Sequence, residues 1–255
     1  MIPLKDDIPT RRTPVLTIAL IVANVLVYFL FQQGLIGLGD QGNQRVVEYG
    51  AIPYEVTHPS DQCEADASLS EIRCGPDEGS GYVPFWVTIF TSMFMHGGLL
   101  HLAGNMLFLW IFGNNIEDSM ARPTFLLFYL LGGLAALALQ VLTDPNSAVP
   151  TIGASGAIAG VLGAYARLYP RARVVTLVFI VIIFTVVTLP ALLVLGVWFA
   201  LQLLPAFASA GDVAGGGGVA YFAHIGGFLF GLLLIKLFAN NIREDYDRAY
   251  RIPVY

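Results

Sequence analysis

Charged residues are scarce in this sequence, and their scarcity bears on whether the protein is soluble or embedded in a membrane. Of the 255 residues, 12% are charged and 56% are hydrophobic, whereas a soluble domain typically has about 25% charged residues. This excludes an ordinary soluble domain and indicates an integral membrane protein. The formal net charge of −5 also argues against nucleic acid as a partner, because nucleic-acid-binding proteins present basic surfaces.

Several catalytic and metal-binding patterns are missing as well. The absence of HExxH disfavours a membrane metalloprotease, and the absence of paired aspartates in the apolar runs disfavours an aspartyl one. The two cysteines, Cys63 and Cys74, have only His58 nearby, so they fall short of a closed zinc site. We expect no metal and no cofactor. On an oxidising outer face the cysteines could form a disulfide, and two free thiols are the alternative.

Long apolar runs take the place of charge. Six of them fall within the range of about 17–25 residues that suits a membrane-spanning helix: 14–33, 97–114, 123–143, 152–169, 188–208 and 219–239. The apolar stretch from Val174 to Leu204 is too long for one helix, and Pro190 is its natural break because proline lacks a backbone donor. Residues 174–187 are therefore predicted to be an amphipathic or partly embedded lead-in to the fifth span.

These spans predict an all-α membrane protein, with six transmembrane helices in a single domain over 1–255. A long outer loop is expected over 34–96 and a cytoplasmic tail over 240–255. Of the 13 lysines and arginines, only Arg45 and Arg73 fall in the long loop, and the other eleven lie on the opposite side. Because basic residues concentrate in cytoplasmic segments, both termini are predicted to be cytoplasmic.

Four polar side chains share one depth in this topology. The second, fourth and sixth spans run from outside to inside, and His101, Asn105, Ser155 and His224 lie near their outer ends. His101 and Asn105 are four residues apart and so share a helix face. Ionisable residues within a bilayer are costly and usually mark function, which makes this level the candidate site.

Glycines could bring these groups together. The fourth and sixth spans each carry two glycines four residues apart: Gly156 and Gly160, and Gly227 and Gly231. Such small residues allow close helix approach, which would place the Ser155 hydroxyl within hydrogen-bonding reach of His224. Taken singly, glycine stripes usually mean packing, and a serine in a span usually bonds its own helix backbone. The coincidence of four polar groups at one depth favours a site.

The chemistry that these groups could perform is acyl transfer. A serine is a weak nucleophile until a base takes its proton, and neutral imidazole suits that task near neutral pH. No acid lies within the spans to orient His224, so the sequence offers a Ser–His dyad and not a triad. His101, Asn105 and the backbone N–H of Ser155 could stabilise the oxyanion of a tetrahedral intermediate.

Three motifs carry a family resemblance: "HGGLLHLAGNMLFLWIFGNNIE" at 96–117, "GASG" at 153–156 and "AHIGGFLFG" at 223–231. Together, and in this order on alternate spans, they resemble the rhomboid family of intramembrane serine proteases of bacterial type. The resemblance implies a six-helix rhomboid-like bundle in the plasma membrane. It also implies cleavage of transmembrane protein substrates within the lipid bilayer, near the outer face.

The resemblance also implies roles for individual residues. Ser155 would be the nucleophile and His224 the general base, with His101 and Asn105 at the oxyanion. The loop 209–221 resembles the mobile cap over the active site of this family.

Three further positions complete the comparison with the family. Some members carry a tyrosine that stacks on the catalytic histidine, and Ala159 stands at that position here. His96 and Glu117 match family positions, and we interpret both as structural: His96 forms hydrogen bonds in a loop, and Glu117 anchors the cytoplasmic end.

Two other functions remain open at this point. One is a non-catalytic rhomboid-like binder of membrane helices, although binders of this kind lose the serine or the histidine and this chain keeps both. The other is a small-solute or proton transporter that uses His101 and His224 as relays. A transporter requires a continuous polar path, and the inner halves of these spans offer few ionisable residues.

Overall fold

The computed structural model describes residues 1–34, 42–65, 72–76, 83–180, 183–209 and 220–240. Two of the predicted segments, the cap loop and the C-terminal tail, lie mostly outside these ranges. Residues 210–219 of the expected cap loop, and all of the expected tail beyond residue 240, lie outside the described residues.

Four helices in the described part of the chain are long and apolar enough to cross a membrane. Two of them are α7 (Arg122–Thr143) and α10 (Tyr221–Phe238). The other two are composite: α1 (Val15–Leu26) continues as the π-helical segment Val27–Gln32, and α5 (Leu99–Phe108) continues through π-helical Leu109–Gly113 into α6 (Asn114–Asp118). The chain is therefore a helical membrane protein.

Two more helices correspond to the predicted fourth and fifth spans. Helix α8 (Ser155–Leu168) has 14 residues, of which 12 are buried, and α9 (Ala191–Ser209) has 19 residues. Because α8 is enclosed on nearly every side, it forms the centre of the fold. Large side chains such as Phe112, Phe128 and Tyr129 are fully buried in the same core.

Close backbone contact holds α8 against α10. A methyl group at Gly227 would collide with the carbonyl oxygen of Gly156, and one at Gly231 would collide with that of Gly160. Only glycine permits this approach, as expected for small residues at a membrane helix interface.

An antiparallel sheet shows that the all-α prediction was wrong. Its three strands lie in the order β1–β4–β5, where β1 is Ile2–Asp6, β4 is Arg173–Ile180 and β5 is Ile183–Pro190. The described residues of the predicted lead-in, 174–180 and 183–187, thus lie in two paired strands, and α9 begins at Ala191 instead of residue 188. The run is rich in valine, isoleucine, threonine and phenylalanine, which favour strands.

The segment 34–96, predicted as a long loop, contains regular structure. Its helices are α2 (Gly42–Tyr49), α3 (Pro53–Thr57) and α4 (Phe85–Thr91), and α4 leads into a 3₁₀ turn at Ser92–Phe94. A second hairpin pairs β2 (Asp61–Ala65) with β3 (Ile72–Pro76).

The two cysteines lie in that second hairpin. Cys63 and Cys74 are directly opposite one another in its register and are joined by a disulfide. The Cys63 N–H donates to the Glu55 carboxylate at 2.9 Å, so the hairpin is also tied to α3.

Glu117 ties the N-terminal helix to the end of the Leu99–Asp118 helix. Its carboxylate accepts hydrogen bonds from the Thr17 hydroxyl at 2.9 Å and from the backbone N–H groups of Thr17 and Leu16 at 2.8 and 3.1 Å. These N–H groups belong to the first turn of α1 and have no partner within the helix. Glu117 thus acts as the anchor that the sequence predicted.

Candidate active site

Ser155 is placed by a sharp entry into α8. Gly153 has φ +117°, a value that a residue with a β-carbon rarely adopts, and its N–H donates to the Ser92 carbonyl at 2.8 Å. Two residues later α8 begins at Ser155. The serine therefore sits at the helix N-terminus, where N–H groups and the helix dipole favour negative charge.

The structure brings Ser155 and His224 together. His224 lies in the first turn of α10, and its Nε2 is 2.8 Å from the Ser155 Oγ. The contact follows from the packing of α8 against α10. Gly156, directly after Ser155, touches Gly227, which lies one helical turn after His224.

The other nitrogen of His224 meets a residue that the sequence analysis missed. Nδ1 is 2.8 Å from the Oε1 of Gln202 on α9. The sequence did contain a sign of it: Gln202 is the only amide side chain between residues 188 and 208. Polar residues inside apolar spans usually have a functional role. A search for acids could not find it.

His101 faces the same point as Ser155. A β-carbon on Gly153 would lie 2.9 Å from the His101 Nε2 and 3.4 Å from the Ser155 Oγ, so both atoms border Gly153. The Gly97 N–H donates to the His101 Nδ1 at 3.3 Å. An Nδ1 that accepts a hydrogen bond leaves the proton of a neutral imidazole on Nε2, which makes the Nε2 of His101 a donor toward the site.

Asn105 provides a second donor on the same helix. Its side chain is buried, and its Nδ2 has no hydrogen-bond partner among the described residues. Buried polar groups are normally paired, so an unpaired donor on the wall of a cavity indicates a place where an acceptor binds.

These side chains line one cavity of about 530 Å³. Ser155, His224, His101, Asn105 and Gln202 all contribute to its wall. Glycine and alanine residues form much of the remainder: Gly97, Gly104, Gly133, Ala136, Gly156 and Ala157. The volume lies within the range of about 300–1,000 Å³ that is typical of ligand-binding pockets.

His96 lies behind this wall. Its backbone N–H donates to the Gln32 Oε1 at 2.9 Å, its carbonyl accepts from the Gln32 Nε2, and its ring packs edge-on against His101 with centroids 5.1 Å apart. As the sequence analysis interpreted it, His96 is a hydrogen-bonding residue of the loop before α5.

Comparison with known proteins identifies the family. Residues 84–241 match the family model of the Rhomboid domain. The chain belongs to the rhomboid family. All four residues predicted for the site, and Gln202, lie within the matched range.

Sequence similarity to individual rhomboid proteins supports this membership. The rhomboid chain is 33% identical over 171 residues to Rhomboid protein 1, mitochondrial, of Saccharomyces cerevisiae, covering 66% of this chain and 46% of that protein. It is 32% identical over 165 residues to the mouse presenilin-associated rhomboid-like protein, mitochondrial, covering 63% and 40%. With Rhomboid protease GluP of Bacillus subtilis it shares 39% identity over 79 residues, covering 31% and 15%. The chain thus spans less than half the length of each of these three relatives.

Proposed function

We propose that this rhomboid-family protein is an intramembrane serine endopeptidase that cleaves transmembrane protein substrates by a Ser–His dyad. The proposal rests on the 2.8 Å separation of the Ser155 Oγ and the His224 Nε2. Beside them lies the buried Asn105 Nδ2, a donor with no partner in the described part of the chain. A pair of this kind is the arrangement of an activated serine nucleophile and its base.

The reaction follows from the position of each proton. The Nε2 of His224 accepts the Ser155 proton as Oγ attacks the scissile carbonyl carbon, and the resulting imidazolium then donates that proton to the leaving amine. His224 then takes a proton from a water molecule, which attacks the ester carbon of the acyl-enzyme. The ester bond breaks, the carboxylic acid product leaves, and Ser155 regains its proton from His224. The developing oxyanion accepts hydrogen bonds from the His101 Nε2–H, the Asn105 Nδ2–H and the Ser155 N–H.

The membrane arrangement in this proposal has six spans. The four long helices, with α8 and α9, give that number, and both termini lie on the cytoplasmic side because basic residues concentrate there. Substrate helices would be cut near the outer face of a plasma membrane of bacterial type.

The test is reaction with a fluorophosphonate, read by intact mass on the protein purified in detergent. We expect one adduct on the parent and on the control variant Ser147→Ala, and none on Ser155→Ala or His224→Ala. Cleavage of a single-span model substrate should be lost in the same two variants. If Ser155→Ala cuts as well as the parent, the nucleophile is another residue. A parent that binds membrane helices but neither reacts nor cleaves is a non-catalytic binder.

A further inference from the structure

We propose that Gln202 is the positioning residue of His224, so that the site works as a serine, a histidine and a neutral amide. The inference rests on the proposed function and adds a third member to it. Gln202 lies on α9, whereas Ser155 and His224 lie on α8 and α10. Three separate helices therefore build one hydrogen-bonded chain.

The orientation of the Gln202 amide is set by its own helix. Its Nε2 donates to the backbone carbonyl of Trp198, one turn earlier, at 3.4 Å. With the amide nitrogen directed there, the carbonyl oxygen Oε1 faces the Nδ1 of His224 at 2.8 Å. In the flipped assignment the amide oxygen would oppose the carbonyl oxygen of Trp198, so the Trp198 contact is what directs Oε1 toward His224.

This amide selects the imidazole tautomer that catalysis requires. An amide oxygen only accepts hydrogen bonds, so the proton of neutral His224 must reside on Nδ1. Its Nε2 then carries the lone pair that faces the Ser155 hydroxyl. In the opposite tautomer Nε2–H would point at the serine, and the histidine could not take the serine proton.

Other groups near the ring do not hold it in the same way. At position 159, where some members of the family have a tyrosine, the side chain of Ala159 ends at Cβ and cannot cover the imidazole. The Trp198 ring is 6.0 Å from the His224 ring and tilted by 41°. Among the described residues, only Ser155 and Gln202 form hydrogen bonds with the His224 ring.

The amide also acts after the proton has moved. Imidazolium formed during attack on the substrate keeps its Nδ1–H directed at the Gln202 Oε1, where the carbonyl dipole favours the positive charge. A neutral acceptor does this without the cost of a buried carboxylate in the membrane.

The experiment compares two substitutions of nearly equal size. Gln202→Met fills the same space without an acceptor, and Gln202→Glu keeps an oxygen for Nδ1. The matched control is Gln140→Met. It removes an amide that accepts from the Ala223 backbone N–H at 3.3 Å and is not one of the two described hydrogen-bond partners of the His224 ring. Each variant is assayed for the fluorophosphonate labelling rate, for kcat and KM on a single-span substrate, and for Tm.

We expect kcat and the labelling rate of Gln202→Met to fall together by roughly 10–100-fold, a part of the contribution of a positioned base, with KM and Tm unchanged. Gln202→Glu should recover most of the labelling rate, and Gln140→Met should match the parent. If Gln202→Met is labelled and cleaves at parental rates while Ser155→Ala is inactive, the inference about Gln202 is wrong and the proposed function stands. Equal losses in the Met, Glu and Gln140 variants would also overturn it, because the role would then be structural. Cleavage by Ser155→Ala would instead overturn the proposed function.

Discussion

The carbonyl oxygen of Gly156 lies directly against the α-carbon of Gly227, so the backbones of α8 and α10 touch immediately beside Ser155 and His224. The two helices meet here with no side chain between their backbones. A displacement of α10 away from α8 would therefore also move the His224 ring away from the Ser155 hydroxyl.

Gly227→Ala should therefore disrupt the dyad as well as the fold. The added methyl must push α10 away from the Gly156 carbonyl, and overpacking of this kind typically costs about 1–3 kcal/mol. We expect a lower Tm and loss of fluorophosphonate labelling at temperatures where the variant is still folded. Gly196→Ala is the matched control, because a β-carbon at Gly196 meets no described atom within 4 Å. Normal labelling of folded Gly227→Ala would show that the backbone contact does not set the Ser155–His224 distance.

Asn105 offers a prediction about the oxyanion. Asn105→Ala removes a donor that has no partner within the described ranges, and loss of one oxyanion donor typically lowers the rate about 10²–10³-fold. The loss should appear in kcat and leave KM nearly constant, because the substrate carbonyl carries little charge before attack. The control is Asn114→Ala, near the C-terminal end of the same Leu99–Asp118 helix, which should retain parental kcat. A rise in KM alone would assign Asn105 to substrate binding.

Some of this site could be predicted from the sequence, and the limits have physical causes. Ser155 and His224 could be predicted to meet because the predicted orientation of their spans puts both residues at one depth and because glycines allow close helix approach. Gln202 could not be identified as a partner, because the rotation of α9 about its axis is set by tertiary packing and not by its nearly uniform apolar composition.

The two hairpins show a different limit. The valine- and isoleucine-rich run of β4 and β5 has no alternation that separates a strand from a buried or membrane helix, so its length and hydropathy suggested an amphipathic or partly embedded lead-in to the fifth span. The regular structure of segment 34–96 was missed for the opposite reason. Its helices and strands have between five and eight residues each, too few for a periodic pattern to rise above the surrounding loop.

Gly153 is expected to tolerate no side chain. Alanine would be strained at φ +117°, and its β-carbon would lie 2.8 Å from the His101 Cε1, so the ring would have to turn away from the site. We expect Gly153→Ala to lose most of its cleavage activity, with a fall in kcat at least as large as for Asn105→Ala. Gly98→Ala lies before α5 in open space with extended backbone and should retain activity. Parental kcat in Gly153→Ala would show that His101 does not need its present position.

Acid should stabilise the fold through Asp6 at the end of β1. Its carboxylate is buried and accepts hydrogen bonds from the Asn115 amide at 2.6 Å and the Tyr165 hydroxyl at 2.7 Å. Burial is the main reason that the pKa of Asp6 is raised from 3.8 to about 6. The folded protein therefore binds more protons than the unfolded chain between these two values, and its free energy of unfolding falls as the pH rises through 6. From pH 7.5 down to pH 5 the gain should be about 1 kcal/mol, since one pKa unit corresponds to about 1.4 kcal/mol.

Thermal unfolding in detergent at pH 5, 6 and 7.5 measures this effect. Asp6→Asn keeps a side-chain oxygen for Tyr165 and Asn115 but cannot ionise, so its Tm should change less with pH than that of the parent. Asp144→Asn, at the exposed end of α7, removes the same charge without touching the buried cluster and should retain the parental response. A parental pH response in Asp6→Asn would assign the proton uptake to another group, because no charge would then remain at position 6 to be neutralised.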